Sequence, residues 1–153
     1  MCGIAGILNS DGRPVDLQAL AAMTAALTHR GPDGQGVRVL ESSVGLGHAR
    51  LRVIDLTEAA GQPMASPDGR HWIVFNGEIY NFRELRAELA LRGVRCRTES
   101  DTEVLLRWYE QEGPACLARL DGMFAMAVWD GPSRRLFLAR DRVGKKPLFY
   151  QAR

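Results

Sequence analysis

Short apolar runs separated by turn residues alternate with longer stretches of helical periodicity, and together they lay out most of the chain. Residues 3–8, with Ile4, Ile7 and Leu8, predict a short buried strand. Asp16 then caps a helix on which Leu17, Leu20, Met23 and Leu27 recur at helical spacing, with Gly31 as its stop. Residues 36–41 and 44–54 read as two strands around Glu41-Ser42-Ser43, and Asp55–Gly69, which holds two Pro and two Gly, reads as loop. His71–Phe75 is a compact strand that ends in the turn dipeptide Asn76-Gly77. Two capping boxes follow, Asn81 with Glu84 and Ser100 with Glu103, and Gly93 and Gly113 stand where the two helices stop. Met123–Trp129 is apolar on both alternating faces, so this strand is covered on both sides. Asp130-Gly131-Pro132 turns into Leu136–Ala139, and Pro147 precedes a last apolar segment, Leu148–Tyr150. Doubly covered strands and helices with one apolar stripe predict α+β layers, with sheets stacked beneath helices.

Composition narrows the function more than the fold. With 153 residues and no repeat or linker, one domain is expected over 1–153. The formal net charge of +2 and the lack of any Lys/Arg run argue against a nucleic-acid partner. No apolar stretch approaches the roughly 20 residues that cross a bilayer. No basic residue precedes the short apolar run at the N-terminus, so it does not read as a signal peptide. Cys2, Cys96 and Cys116 cannot all pair and lack the spacing of a zinc site, which gives a reducing, cytoplasmic setting and no metal. Cys96 and Cys116 read as small buried hydrophobes, and Trp72, Trp108 and Trp129 as packing.

Cys2 carries the chemistry. Removal of Met1 from before this small side chain leaves a free α-amine, whose pKa of about 7.7–8.0 makes it a usable base near neutral pH. The thiol on the same residue is an intrinsically good nucleophile. Taken singly, the other candidates have plainer readings: Asn76-Gly77 as a hairpin turn, Asp101 as a favourable charge at a helix N-terminus, Arg50 as an ion-paired strand residue.

Together they read differently. Cys2-Gly3-Ile4-Ala5-Gly6-Ile7, His29-Arg30-Gly31-Pro32-Asp33-Gly34, Gly47-His48-Ala49-Arg50-Leu51, Phe75-Asn76-Gly77-Glu78-Ile79-Tyr80-Asn81, Ser100-Asp101-Thr102-Glu103, Asp121-Gly122-Met123-Phe124-Ala125 and Ala139-Arg140-Asp141-Arg142-Val143-Gly144-Lys145-Lys146-Pro147-Leu148 occur in order. From Cys2 to about Tyr150 the chain resembles the N-terminal glutaminase domain of asparagine synthetase and its relatives, the class II glutamine amidotransferases. The resemblance implies a four-layer α/β/β/α sandwich of the N-terminal-nucleophile hydrolase type and hydrolysis of glutamine to glutamate and ammonia. It implies Cys2 as nucleophile, Asn76 and the Gly77 N–H as the oxyanion hole, Arg50 for the substrate carboxylate, and Glu78 and Asp101 for its ammonium. His29 and His48 are expected to be structural. The Arg30–Gly34 loop is expected to position the site, and Asp141-Arg142 with Lys145-Lys146 to form a solvated turn or a domain contact.

Compared with the family, the sandwich is expected to be C-terminally incomplete at Arg153 and the synthetase domain absent. That domain would act in cis in a longer parent or in trans, and ATP and magnesium are expected only there. The alternative from another class is an inactive remnant that binds glutamine or a partner without turnover.

Overall fold

The structure, a computed structural model, describes residues 1–152. Its first antiparallel sheet consists of β1 (Gly3–Leu8), β2 (Gly34–Leu40) and β3 (Val44–Arg50), in the order β1-β3-β2. The second consists of β4 (Met64–Ala65), β5 (His71–Ile79), β6 (Gly122–Asp130) and β7 (Arg135–Arg140), in the order β4-β5-β6-β7. Helix α1 (Leu17–Ala25) covers the outer face of the first sheet, and α2 (Phe82–Leu91) and α3 (Asp101–Glu112) cover that of the second. The result is the expected α/β/β/α order.

Alternation along the strands builds these layers. On β3, Val44 and Leu46 point into the space between the sheets, where they meet Leu40, Val74, Ala127 and Trp129. Gly45 and Gly47 face the other way, and α1 lies directly on them. A Cβ on Gly45 would sit 2.6 Å from Leu20, and one on Gly47 2.1 Å from the Thr24 hydroxyl. The helix is seated by two missing side chains as much as by its own apolar residues. Its buried positions are Leu20 and Thr24, whereas Leu17 and Met23 of the expected stripe are exposed and the helix ends at Ala25. On β5 and β6, Ile73, Phe75 and Met126 face α2 and α3 and pack with Leu89, Leu105 and Trp108. Strand β6 is thus apolar on both faces because both faces are covered.

Several local expectations are corrected. Asn76-Gly77 is no turn: β5 runs through it to Ile79, in continuous register with β6. β3 ends at Arg50, not at residue 54. Asn81 does not cap α2; its carboxamide spans to Arg119 O at 2.9 Å and the Asp121 N–H at 3.0 Å, tying the helix start to the approach to β6. Ser100 does cap α3, accepting from the Thr102 N–H at 3.1 Å. Glu103, however, turns to the N–H groups of Arg97 and Thr98 instead of closing the box. The Asp141–Lys146 segment is a turn with Arg142, Val143 and Lys145 exposed, as expected of a solvated turn, but it is anchored at its start. Asp141 is buried and accepts from the N–H groups of Phe124, Lys145 and Lys146 at 2.8–3.1 Å, and Arg142 reaches Leu120 O at 2.9 Å.

Candidate active site

The cleft forms where the ends of β1 and β3 meet the open edge of β5 and the N-terminus of α3. Register pairs Gly3 with Ala49, so Cys2 comes to lie beside Arg50 and Leu51. A cavity of about 70 Å³ opens there, lined among others by Cys2, Arg50, Leu51, Gln62, Gly77 and Asp101. Four of the six expected site residues therefore border one space. Asn76 and Glu78 do not line it. They project from the opposite face of β5, toward the first sheet.

Cys2 is held at both ends. Its Sγ accepts from the Leu51 N–H at 3.3 Å, and Arg30 Nε donates to its carbonyl oxygen at 3.1 Å. Arg30 and its loop thus position the site, as expected. The loop fits because residue 31 is glycine: a Cβ there would lie 2.3 Å from Ala49 O. In this structure the α-nitrogen of Cys2 is the amide that joins it to Met1.

The edge of β5 supplies a donor. The Phe75 N–H donates to Gln62 Oε1 at 2.6 Å, and the Ile79 N–H to Asp101 Oδ2 at 3.0 Å. Odd-numbered amides of β5 therefore point away from β6. The Gly77 N–H lies between these two. Its opposite residue, Phe124, directs both its N–H and its C=O to Asp141, so it offers Gly77 no ladder bond. Among the described residues the Gly77 amide has no partner, and it borders the cavity, where a ligand can complete it. The glycine itself is needed because β6 is close: a Cβ would lie 2.2 Å from Met123 O.

Asn76 has the same kind of unmet demand. It is 4% exposed, its carboxamide makes no hydrogen bond to the described residues, and its Oδ1 is fully enclosed. It faces the interlayer into which Ile4, two residues beyond Cys2, also packs. The neighbouring His48 donates from Nε2 to Phe75 O at 3.2 Å. Burial, assisted by the charge of Arg50, pushes this imidazole down to about 4, so it is neutral and structural. His29, bonded to Ala26 O at 3.0 Å, also serves the backbone.

The charged groups are fixed as well. Arg50 is buried and donates to Thr57 O at 2.8 Å and Asp55 O at 2.6 Å. The Asp55 carboxylate in turn accepts from the Thr57 hydroxyl and N–H and from the Glu99 N–H. The Thr57 bonds, chiefly that of the hydroxyl, keep its pKa below the ordinary value. The guanidinium is therefore aimed by its own loop, with N–H groups left over for an anion. Asp101 is 5% exposed, and burial, with the charge of Glu78 adding to it, pushes its carboxyl up to about 6. Glu78 lacks a place in the cavity wall but is within electrostatic reach of Asp101. Two acids whose charges repel form a place for a cation.

The whole chain, residues 1–153, matches the family model described as a glutamine amidotransferase domain. The chain belongs to that family. It is 42% identical over 153 residues to a glutamine-hydrolysing asparagine synthetase of Bacillus subtilis, covering 98% of this chain and 24% of the relative. It is 37% identical to asparagine synthetase B of Escherichia coli, covering 97% of this chain and 26% of the relative. The chain thus spans about a quarter of the length of these relatives. The fold is also that of the glutamine phosphoribosylpyrophosphate amidotransferase of B. subtilis, with a TM-score of 0.75 at 21% identity over 92% of this chain and 37% of that one.

Away from the cleft, Asp68, His71 and Glu110 bring one ligand atom each within 4.8 Å of one another, a cluster that sequence spacing did not announce. Asp68 is already bonded to Ser66 and Arg70, and Glu110 to Arg107, which makes this an ion-pair cluster rather than a vacant ligand set. Sequence reasoning also missed Gln62, Asp55 and the Leu51 N–H. The first two stood in a stretch legible only as loop, and a backbone amide leaves no mark in a sequence. Among the described residues no helix is long and apolar enough to cross a membrane.

Proposed function

We propose that the domain hydrolyses the side-chain amide of glutamine through Cys2. The observation that carries this reading is the open Gly77 N–H, which borders the same cavity as the Cys2 thiol; on the adjoining face of β5 the buried Asn76 carboxamide also has no partner among the described residues. A tetrahedral oxyanion is the species that would take the two donors, the Gly77 N–H and Asn76 Nδ2, together.

In this reading Arg50 takes the α-carboxylate of glutamine through a charge-assisted fork, and Asp101, with Glu78 behind it, takes the α-ammonium. Cys2 Sγ bonds to the amide carbon and the carbonyl π pair moves to oxygen, where Asn76 Nδ2 and the Gly77 N–H stabilise it. The proton from sulfur passes by way of the free α-amine to the amide nitrogen. The C–N bond then breaks and ammonia leaves, giving a thioester. Water, deprotonated by the same amine, cleaves the thioester to glutamate and regenerates the thiol. The neutral His48 takes no part. A non-catalytic remnant is not favoured: Cys2, Arg50, Gly77 and Asp101 border one cavity, and removal of Met1 supplies the free α-amine.

The ammonia would feed an ATP- and magnesium-using synthetase domain, in cis in a longer parent or in trans, and by analogy with the relatives asparagine is the product. On this reading the chain supplies the glutaminase activity, in a cytoplasmic setting that keeps Cys2 reduced. The test is release of glutamate and ammonia from glutamine by protein bearing Cys2 at its terminus. Turnover is expected in the native sequence and none in Cys2→Ala; equal rates in the two would overturn the reading.

Asp101 gives a pH signature. With its carboxyl raised to about 6, the free site loses its ammonium-binding charge as pH falls through that value. The KM for glutamine is therefore expected to rise about tenfold per pH unit below 6, and Asp101→Asn to show a high KM without this dependence. The sign for stability is opposite. Because the folded pKa exceeds the ordinary 3.8, the folded state holds the extra proton, so this group's contribution to stability falls as pH climbs from about 4 to about 6 and is level above. A KM unchanged from pH 7 to pH 5 would remove Asp101 from the ammonium site.

A further inference from the structure

We infer that Gln62 is a positioning residue that sets the spacing between the oxyanion donors and the ammonium-binding carboxylate, and thereby makes the site select glutamine over asparagine; this rests on the reading of the cavity proposed above. Gln62 lines the cavity, and its side chain bridges the two walls that matter. Its Oε1 accepts from the Phe75 N–H at 2.6 Å, two residues before Gly77 on β5. Its Nε2 donates to Thr102 Oγ1 at 3.1 Å, immediately after Asp101 in the first turn of α3. The other tie between these walls is the 3.0 Å bond from the Ile79 N–H to Asp101. Gly77 is thus flanked on both sides by bonds that fix the β5 edge against the start of α3.

The bridge starts from a firm base. The backbone of Gln62 rests on β2, close enough that a Cβ on Gly36 would lie 2.0 Å from Gln62 O. Its amide uses an acceptor on one wall and a donor toward the other, so neither wall can shift without losing a bond. By capping Phe75, it also leaves the Gly77 N–H as the open amide between Phe75 and Ile79 on this edge.

Substrate length is then read against a fixed distance. N–H groups two residues apart on a strand are roughly 6.6 Å apart, so the capped amide of Ile79 and the open amide of Gly77 set a rigid spacing along the edge. Asparagine carries the same carboxylate and ammonium as glutamine but is one methylene shorter. With its ammonium on Asp101 and its carboxylate on Arg50, its amide falls short of both the thiol and the Gly77 N–H. A misplacement of about 1 Å costs on the order of 10²-fold in rate when the site cannot follow it. If the walls can drift, that penalty shrinks and the productive geometry for glutamine is blurred as well.

The test uses the full chain with Met1 removed and measures kcat and KM for both glutamine and asparagine, with thermal unfolding recorded in parallel. Gln62→Met, which keeps the length and removes both bonds, is expected to lower kcat/KM for glutamine by roughly tenfold to a hundredfold. The value for asparagine should change little, so that the ratio between the two collapses. Thr102→Val breaks the bridge but leaves Phe75 capped; it should reproduce the collapse, and Thr102→Ser should restore the native ratio. Thr102→Val carries the test should Gln62→Met fail to fold. A merely structural role would lower the unfolding temperature and leave the ratio alone. A glutamine-to-asparagine ratio within about twofold of native in both variants would overturn the inference while leaving the glutaminase reading intact. A native protein that turns over neither amide would overturn both.

Discussion

Protein that keeps Met1 will hydrolyse glutamine only at background rate, and the same protein with Cys2 as its first residue will turn it over. The reason is the nitrogen. Joined to Met1 it is an amide with no proton affinity near neutral pH, whereas a free α-amine titrates at about 7.7–8.0. Among the described residues no other side chain is placed to replace it. The groups hydrogen-bonded to Sγ are the Leu51 N–H at 3.3 Å and the Leu51 carbonyl at 3.6 Å. His48 is buried, pushed down to about 4 and occupied with Phe75 O. Asp101 is assigned to the ammonium. Loss of a general base alone costs about 10²–10⁴-fold. Initial rates of glutamate formation by a trimmed and a Met1-retaining sample check this, and equal rates would show that some other group takes the thiol proton.

Asn76→Ala should lower kcat by about 10²–10³-fold, or about 2.7–4 kcal/mol, with little change in KM. The carboxamide is already buried without a partner in the fold. Its bond to the substrate oxygen strengthens only as negative charge develops there, so the loss belongs to the transition state rather than to substrate affinity. Asn76→Asp should be at least as damaging, since a carboxylate would face the oxyanion with like charge. The backbone donor of Gly77 cannot be deleted in the same way. Gly77→Ala would force β5 away from Met123 and Phe124 of β6 and disturb the strand as a whole. A loss seen in KM instead of kcat would make Asn76 a ground-state contact.

The layers were legible in the sequence wherever alternation was complete. Met123–Trp129 is apolar at every position, and only a strand covered on both faces accounts for that. Asn76-Gly77 misled because the glycine that signals a turn is here required by the close approach of β6. The helix stripe failed for a related reason: α1 is seated by Gly45 and Gly47 on β3, which no inspection of the helix itself would reveal. The capping boxes show a third limit, since Asn81 and Glu103 have the right spacing but satisfy more distant backbone groups. At the site, the candidate side chains came from their ordered motifs, and four of them border one cavity. What fixes them in place was not legible: Gln62, Asp55 and the Leu51 amide act through bonds to residues far away in sequence, and several of those bonds use backbone atoms common to every residue type.

The central claim is that the Cys2 sulfur attacks the substrate, and covalent capture tests it most directly. Protein with Cys2 at its terminus is treated with a glutamine analogue that carries an electrophilic diazoketone in place of the amide, then digested and weighed by mass spectrometry. The account predicts a single adduct on the peptide bearing Cys2, formed as glutamine turnover disappears and suppressed by excess glutamine. Turnover that persists after Cys2 is fully modified, or inactivation with the adduct on Cys96 or Cys116 and Cys2 untouched, would contradict it.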